Sequence, residues 1–177
     1  GFLSYANEQL GAEVTDEAIE EVREVSVVRQ TNVGDRNNFR HLAMSVEKAV
    51  FKWLENNFPE LEQNRRGYPD FVGYQDSHKF GFEVKFIREP RMIIGRLKDM
   101  IYRSYYMLNE EGYHEICLIF VVLNEDEVGE VLRHIKKIIP EIERNLRVIV
   151  GKVEIDEEEN VVYGFTPYDE IRANHRM

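Results

Sequence analysis

Three ionisable residues stand close together in the stretch YPDFVGYQDSHKFGFEVKF, from Tyr68 to Phe86: Asp70, Glu83 and Lys85. The stretch reads as a strand, a tight turn at Asp76-Ser77 and a second strand. With that turn, Asp70 lies opposite Glu83, and their side chains leave the same sheet face about 4.5–5.5 Å apart at Cβ. Strand alternation returns Lys85 to that face. A longer turn that opposes Asp70 to Lys85 keeps the three together, whereas a one-residue slip separates them. Two carboxylates so close repel, and one of them keeps its proton at neutral pH unless a cation intervenes. Oxygen ligands from two acids suit Mg2+ or Mn2+. A lysine beside them can orient a water or stabilise charge developing on a phosphate. The chemistry to which this set is suited is metal-assisted phosphodiester hydrolysis.

The flanking sequence says what must position these residues. TDEAIEEVREV, opened by Thr15, predicts a short helix, and VSVVRQT a weak strand. GDRNNFRHLAMSVEKAVFKWLENNFPE predicts a long helix capped by Asp35 or Asn37 and ended before Pro59, with Phe39, Leu42, Val46, Val50 and Trp53 on its buried face. LEQNRRG has room for a short strand. After the hairpin, PRMIIGRLKDMIYRSYYMLNEEG predicts a second helix, entered at Pro90 and left at Gly112, with Ile93, Leu97, Ile101, Ser104 and Leu108 in the core. EICLIFVVL is a continuous apolar run, hence a strand buried on both faces. DEVGEVLRHIKKIIPEIERN predicts a helix that ends near Pro140. LRVIVGKVEI and VVYGFTPY predict two final strands. The order describes an α/β fold built on a mixed sheet, with a helical crossover after the antiparallel hairpin.

Pro69-Asp70, a spacer and then Glu83-Val84-Lys85 resembles the PD-(D/E)XK nuclease superfamily, the restriction-endonuclease-like fold. The resemblance covers residues 36–123, with 1–35 and 124–177 as flanking elaborations of a single nuclease-like domain. It implies that Asp70 and Glu83 bind metal together with the backbone carbonyl of Val84, and that Lys85 positions the attacking water. It also implies that Glu47, in SVEKAVFKWL, adds a ligand or holds a metal-bound water. Some branches of the superfamily carry Gln-x-x-x-Tyr on the helix after the hairpin; here Lys98 and Tyr102 have that spacing, with lysine in place of glutamine.

The net charge of −10 argues mildly against a nucleic-acid partner, but its distribution is uneven. Residues 36–105 carry thirteen basic and nine acidic side chains, while the segments on either side are acidic. Arg65, Arg66, Arg88, Arg91, Arg96, Lys98 and Arg103 lie in that basic segment; they read either as phosphate contacts or as an ordinary solvated surface. Cys117 is the only cysteine, which excludes an intrachain disulfide and a cysteine-rich metal site. The histidines have no zinc-ligand spacing, and no Walker A, G-x-G-x-x-G or G-x-S-x-G motif occurs. No apolar run approaches the roughly 20 residues needed to span a bilayer, and no signal pattern opens the chain, so a cytoplasmic protein is expected. The expectation is a Mg2+- or Mn2+-dependent nuclease acting on DNA, with a homodimer as one possible form. The alternative is a nucleic-acid-binding or assembly module that keeps the fold and lacks the chemistry.

Overall fold

The computed structural model describes residues 33–138 and 145–171. The expected helix at 15–25, the strand after it and the helix end near Pro140 lie outside these residues. The described elements are helix α1 (Val33–Glu55), strands β1 (Glu62–Gln63), β2 (Phe71–Gln75) and β3 (His78–Phe86), helix α2 (Ile93–Glu110), strand β4 (Glu115–Val122), helix α3 (Glu125–Ile138) and strands β5 (Leu146–Ile155) and β6 (Val161–Ile171). A 3-10 turn over Pro90–Met92 leads into α2.

All six strands form one sheet in sequence order. The β1–β2, β2–β3 and β5–β6 pairs are antiparallel, and β3–β4 and β4–β5 are parallel. The result is an α/β fold with a mixed central sheet between helices. The order helix, three strands, helix, strand runs from α1 to β4, and α3, β5 and β6 extend it. Among the described residues no helix is long and apolar enough to cross a membrane.

Each sheet face has its own core. Leu42, Val46, Ala49, Val50 and Leu54 of α1 pack on Phe71, Phe82, Cys117, Ile119 and Val121. Ile93, Leu97, Met100 and Met107 of α2, with Val128, Val131, Leu132 and Ile135 of α3, pack on Ile116, Leu118, Phe120 and Val122. Strand β4 thus feeds alternate side chains to both layers, as its unbroken apolar run requires. Arg147 of β5 spans three strands, with its Nε 2.9 Å from Glu115 of β4 and 2.7 Å from Glu170 of β6.

Several details depart from the sequence reading. Val33 is already helical, so Asp35 and Asn37 lie inside the first turns of α1 and do not cap it. Phe39 is exposed rather than buried, and its ring meets that of Phe86 at a 48° tilt with centres 6.0 Å apart. Met100 and Met107 are more deeply buried on α2 than Ile101 and Leu108, which are only partly buried. Strand β6 continues past Tyr168 to Ile171, carrying Pro167 at a register shift of the outer strand of the described sheet, where a proline costs least.

The hairpin has the expected register. Phe71 pairs with Phe82 and Gln75 with His78, around the turn Asp76-Ser77. Both turn residues adopt positive φ, 51° and 66°, as a two-residue turn matched to strand twist demands. Gly81 of β3 then lets the incoming chain lie directly on the strand. A Cβ there would stand 2.9 Å from the Pro69 ring and 2.6 Å from Ile116 Cδ1. The isoleucine tip can rotate away, but a buried proline ring next to Asp70 cannot. Gly81→Ala should therefore destabilise the protein by roughly 1–3 kcal/mol through overpacking. Urea denaturation should show a lower midpoint with an unchanged slope; an unchanged midpoint would mean that the Pro69 loop recedes at no cost.

Candidate functional site

The site forms where β2 ends and β3 continues. Past the Phe71–Phe82 pair the ladder has no further β2 residue, and the Asp70 side chain takes its place: the Val84 N–H donates to Asp70 Oδ2 at 2.9 Å. In return the Asp70 N–H donates to Glu83 Oε2 at 3.2 Å. The two carboxylates are thus tied crosswise to the opposite strand's backbone. The N–H and C=O of one strand residue point to the same edge, so the Val84 carbonyl faces the gap that β2 leaves. Phe82 and Val84 belong to the α1-side core, while Leu118 and Phe120, the partners of Glu83 and Lys85, belong to the α2–α3 side. Glu83 and Lys85 therefore share the α2–α3 face.

The confinement is costly for charge. Burial, then the Asp70 charge and a hydrogen bond to its carboxyl group, push the Glu83 carboxyl up to about 9; Lys85 and the Asp70 N–H oppose this more weakly. Glu47, half-buried on α1, is also raised, by burial and then by the Asp70 charge. Asp70 is thus felt from both sides of the sheet. Among the described residues, however, no three His, Cys, Asp or Glu side chains are gathered so as to hold a metal ion together. The donor set is two carboxylates and the Val84 carbonyl. These hard oxygen donors, two of them in mutual repulsion, fit a small divalent cation better than they fit each other. Glu47 stands one step back from this set.

The basic residues do not act as one group. Arg65 and Arg66 are exposed on the loop after β1, whose base is pinned by a 2.8 Å bond from the Asn64 N–H to the Asp70 carbonyl. Arg91 is paired with Glu89 at 3.0 Å, and the Arg88 guanidinium lies 5.9 Å from the Phe39 ring centre. Lys98 is exposed and Arg96 half-buried on α2.

Three residues beside the acid pair escaped the sequence reading as site components. Tyr68, two positions before Asp70, has its hydroxyl 2.9 Å from Ser104 Oγ and 3.2 Å from the Met100 carbonyl. Ser104 Oγ donates to that carbonyl at 2.6 Å, so the two hydroxyls and the carbonyl form one closed set. Burial and the charges of Glu83 and Asp70 raise the Tyr68 phenol, while Ser104 and Arg103 pull it down. Asp99 is 8% exposed, and its Oδ2 lies 3.3 Å from an Arg103 terminal nitrogen. Nothing in the local sequence marks Asp99 as buried, because it sits among Arg96, Lys98 and Arg103.

No family model matches the sequence. No curated protein matches it either. Among solved structures the chain is similar to SfsA of Pyrococcus furiosus in complex with Ca2+, with 12% identity and a TM-score of 0.34. The likeness covers 74% of this chain and 63% of SfsA, less than two thirds of the latter's length. At that level of likeness neither residues nor activity transfer.

The raised carboxyl gives a pH dependence. Glu83 titrates normally near 4.5 when unfolded and near 9 when folded, so the fold favours its neutral form. The stability this confers is complete below the lower value and is lost as pH rises through the higher one. Metal-free Glu83→Gln should match wild type in mild acid and be the more stable by pH 8, by on the order of 2 kcal/mol or several degrees in Tm. Thermal melts across pH in chelator check this; a constant difference at all pH values would show that folding leaves the Glu83 carboxyl unshifted.

Proposed function

We propose that the protein is a divalent-metal-dependent nuclease of the PD-(D/E)XK superfamily, acting on DNA. The observation that carries this reading is the crosswise anchoring of Asp70 and Glu83. It forces two carboxylates together in a half-buried site, beside a lysine, where they cannot both be charged without a cation. Asp70, Glu83 and the Val84 carbonyl would hold Mg2+ or Mn2+. When bound, the cation supplies Lewis acidity toward the phosphodiester and lowers the pKa of a water. Lys85 is the residue set to orient the attacking water and to stabilise charge on the phosphate, since it shares the face of Glu83 and its charge already acts on that carboxyl. Glu47 would hold water at the periphery of that cation.

A second reading, a nucleic-acid-binding module without chemistry, is favoured by one observation. Among the described residues the acids stop short of a three-carboxylate metal cluster.

Two measurements separate the readings. Calorimetric titration with Mn2+ near pH 7 should show binding accompanied by release of close to one proton, because Glu83 must ionise to act as a ligand. Asp70→Asn should abolish it, and undiminished binding by that variant would remove Asp70 from the site. In Mg2+ or Mn2+ the protein should cut DNA, with EDTA stopping cleavage. Lys85→Ala should slow cleavage by about 10²–10³ while leaving Mn2+ affinity nearly intact. A panel of single-stranded, duplex and branched DNA plus RNA is the substrate set. Wild type that binds these but cleaves none establishes the second reading.

A further inference from the structure

Among the basic side chains around the acid pair, Arg103 differs in how it is held. Its terminal nitrogen contacts Asp99 Oδ2 at 3.3 Å, one helical turn back. Its guanidinium carbon lies 5.8 Å from the centre of the Tyr68 ring. Tyr68 is itself fixed to α2 through Ser104 and the Met100 carbonyl. The guanidinium is therefore braced from two directions, by a carboxylate and by an aromatic face. An ordinary ion pair at this spacing on a helix is solvated at both ends and contributes little. Among the described residues Asp99 is instead one of the few buried polar side chains, and its Oδ1 has no hydrogen-bond partner there. A buried carboxylate with one oxygen unpaired weakens a fold. The acid is better explained by what it does to Arg103 than by its own contribution to stability.

The brace also decides where the arginine goes. Asp99 is the only carboxylate paired with Arg103 among the described residues, although Asp70 and Glu83 act on the same phenol that Arg103 does. Asp99 thus keeps the cation from collapsing onto the acid pair and neutralising it. The Arg103 side chain is 49% exposed, so much of its guanidinium meets solvent. A planar, outward-facing fork of donors held beside two acids suits a tetrahedral phosphate oxyanion.

We propose that Arg103 is the phosphate-gripping residue of this site, and that Asp99 and Tyr68 are positioning residues that hold its guanidinium outward, off the acid pair. The inference rests on the nuclease reading of the site and names the residue that engages the nucleic-acid backbone there.

The test is fluorescence anisotropy with labelled single-stranded DNA, duplex DNA and RNA oligonucleotides in Ca2+, over a range of salt. Arg103→Gln should weaken binding of the best probe about tenfold and reduce the slope of log affinity against log salt by about 1, with Mn2+ affinity unchanged. Arg103→Lys should restore the slope but not the full affinity, because the ammonium lacks the planar fork. Asp99→Asn is the decisive variant. Removing a negative charge should strengthen binding to a polyanion if charge alone matters, whereas loss of the brace should weaken it several-fold. The double variant Asp99→Asn/Arg103→Gln should bind no more weakly than Arg103→Gln. Probe binding that survives Arg103→Gln, or that tightens in Asp99→Asn, overturns the assignment and leaves the nuclease reading standing. Wild type that takes up Mn2+ but binds none of the probes overturns both.

Discussion

Backbone amides hold two carboxylates against each other, and the rest of the site follows from that. Each acid accepts a hydrogen bond from the other strand's main chain, so neither can swing away without leaving a donor unpaired at the end of a ladder. The repulsion is built in by the hairpin register and cannot relax through rotamers. What remains is to protonate Glu83 or to bring in a cation, and the choice depends on pH and on metal. The site is therefore locally unfavourable as a piece of structure, and the two cores above and below the sheet offset it. Positions that weaken a fold while concentrating donors are where function is expected.

Around this pair the positive charges are divided by function. Lys85 stands on the same strand and face as Glu83 and tempers its carboxyl. Arg91 is occupied by Glu89, and Arg88 leans toward the Phe39 ring. Arg65 and Arg66 ride on a loop whose base is tied to the Asp70 carbonyl, so they follow the site without entering it. These five basic residues thus fall into separate settings, although in the sequence they belong to one basic segment.

The register of the hairpin was legible because Asp76-Ser77 tolerates the left-handed turn and the flanking residues alternate. That placed Asp70 opposite Glu83 before any coordinates. The element order was legible for a similar reason, since each helix carries its own apolar stripe and β4 its own apolar run. Helix limits were less so: Asp35 and Asn37 have capping side chains, yet the helix already runs through Val33 and Gly34 before them. What could not be read was anything that depends on two elements meeting. Glu47 is singled out by the family resemblance alone; its own helix gives no sign of it until α1 lies across the sheet and brings it into the field of Asp70. Asp99 looks solvated until tertiary packing covers it. Tyr68 reads as a residue before a proline until α2 supplies Ser104 and the Met100 carbonyl.

Strand β4 raises a separate question of addressing. A strand that is apolar on both faces can slide by one residue and still bury the same kind of side chain on each side, so its hydrophobicity carries almost no positional information. Yet Glu83 and Lys85 keep their places opposite Leu118 and Phe120 only if β4 does not slide. Arg147 supplies the missing coordinate. By grasping Glu115 on one neighbour and Glu170 on the other, it works as an index pin through three strands, and a slip of either neighbour breaks a charged contact at a partly buried edge. The geometry of the candidate site at one part of the sheet is thus referenced to an ion triad far along the chain from it. Alignment of that kind belongs to the sheet as a whole and to no single hairpin.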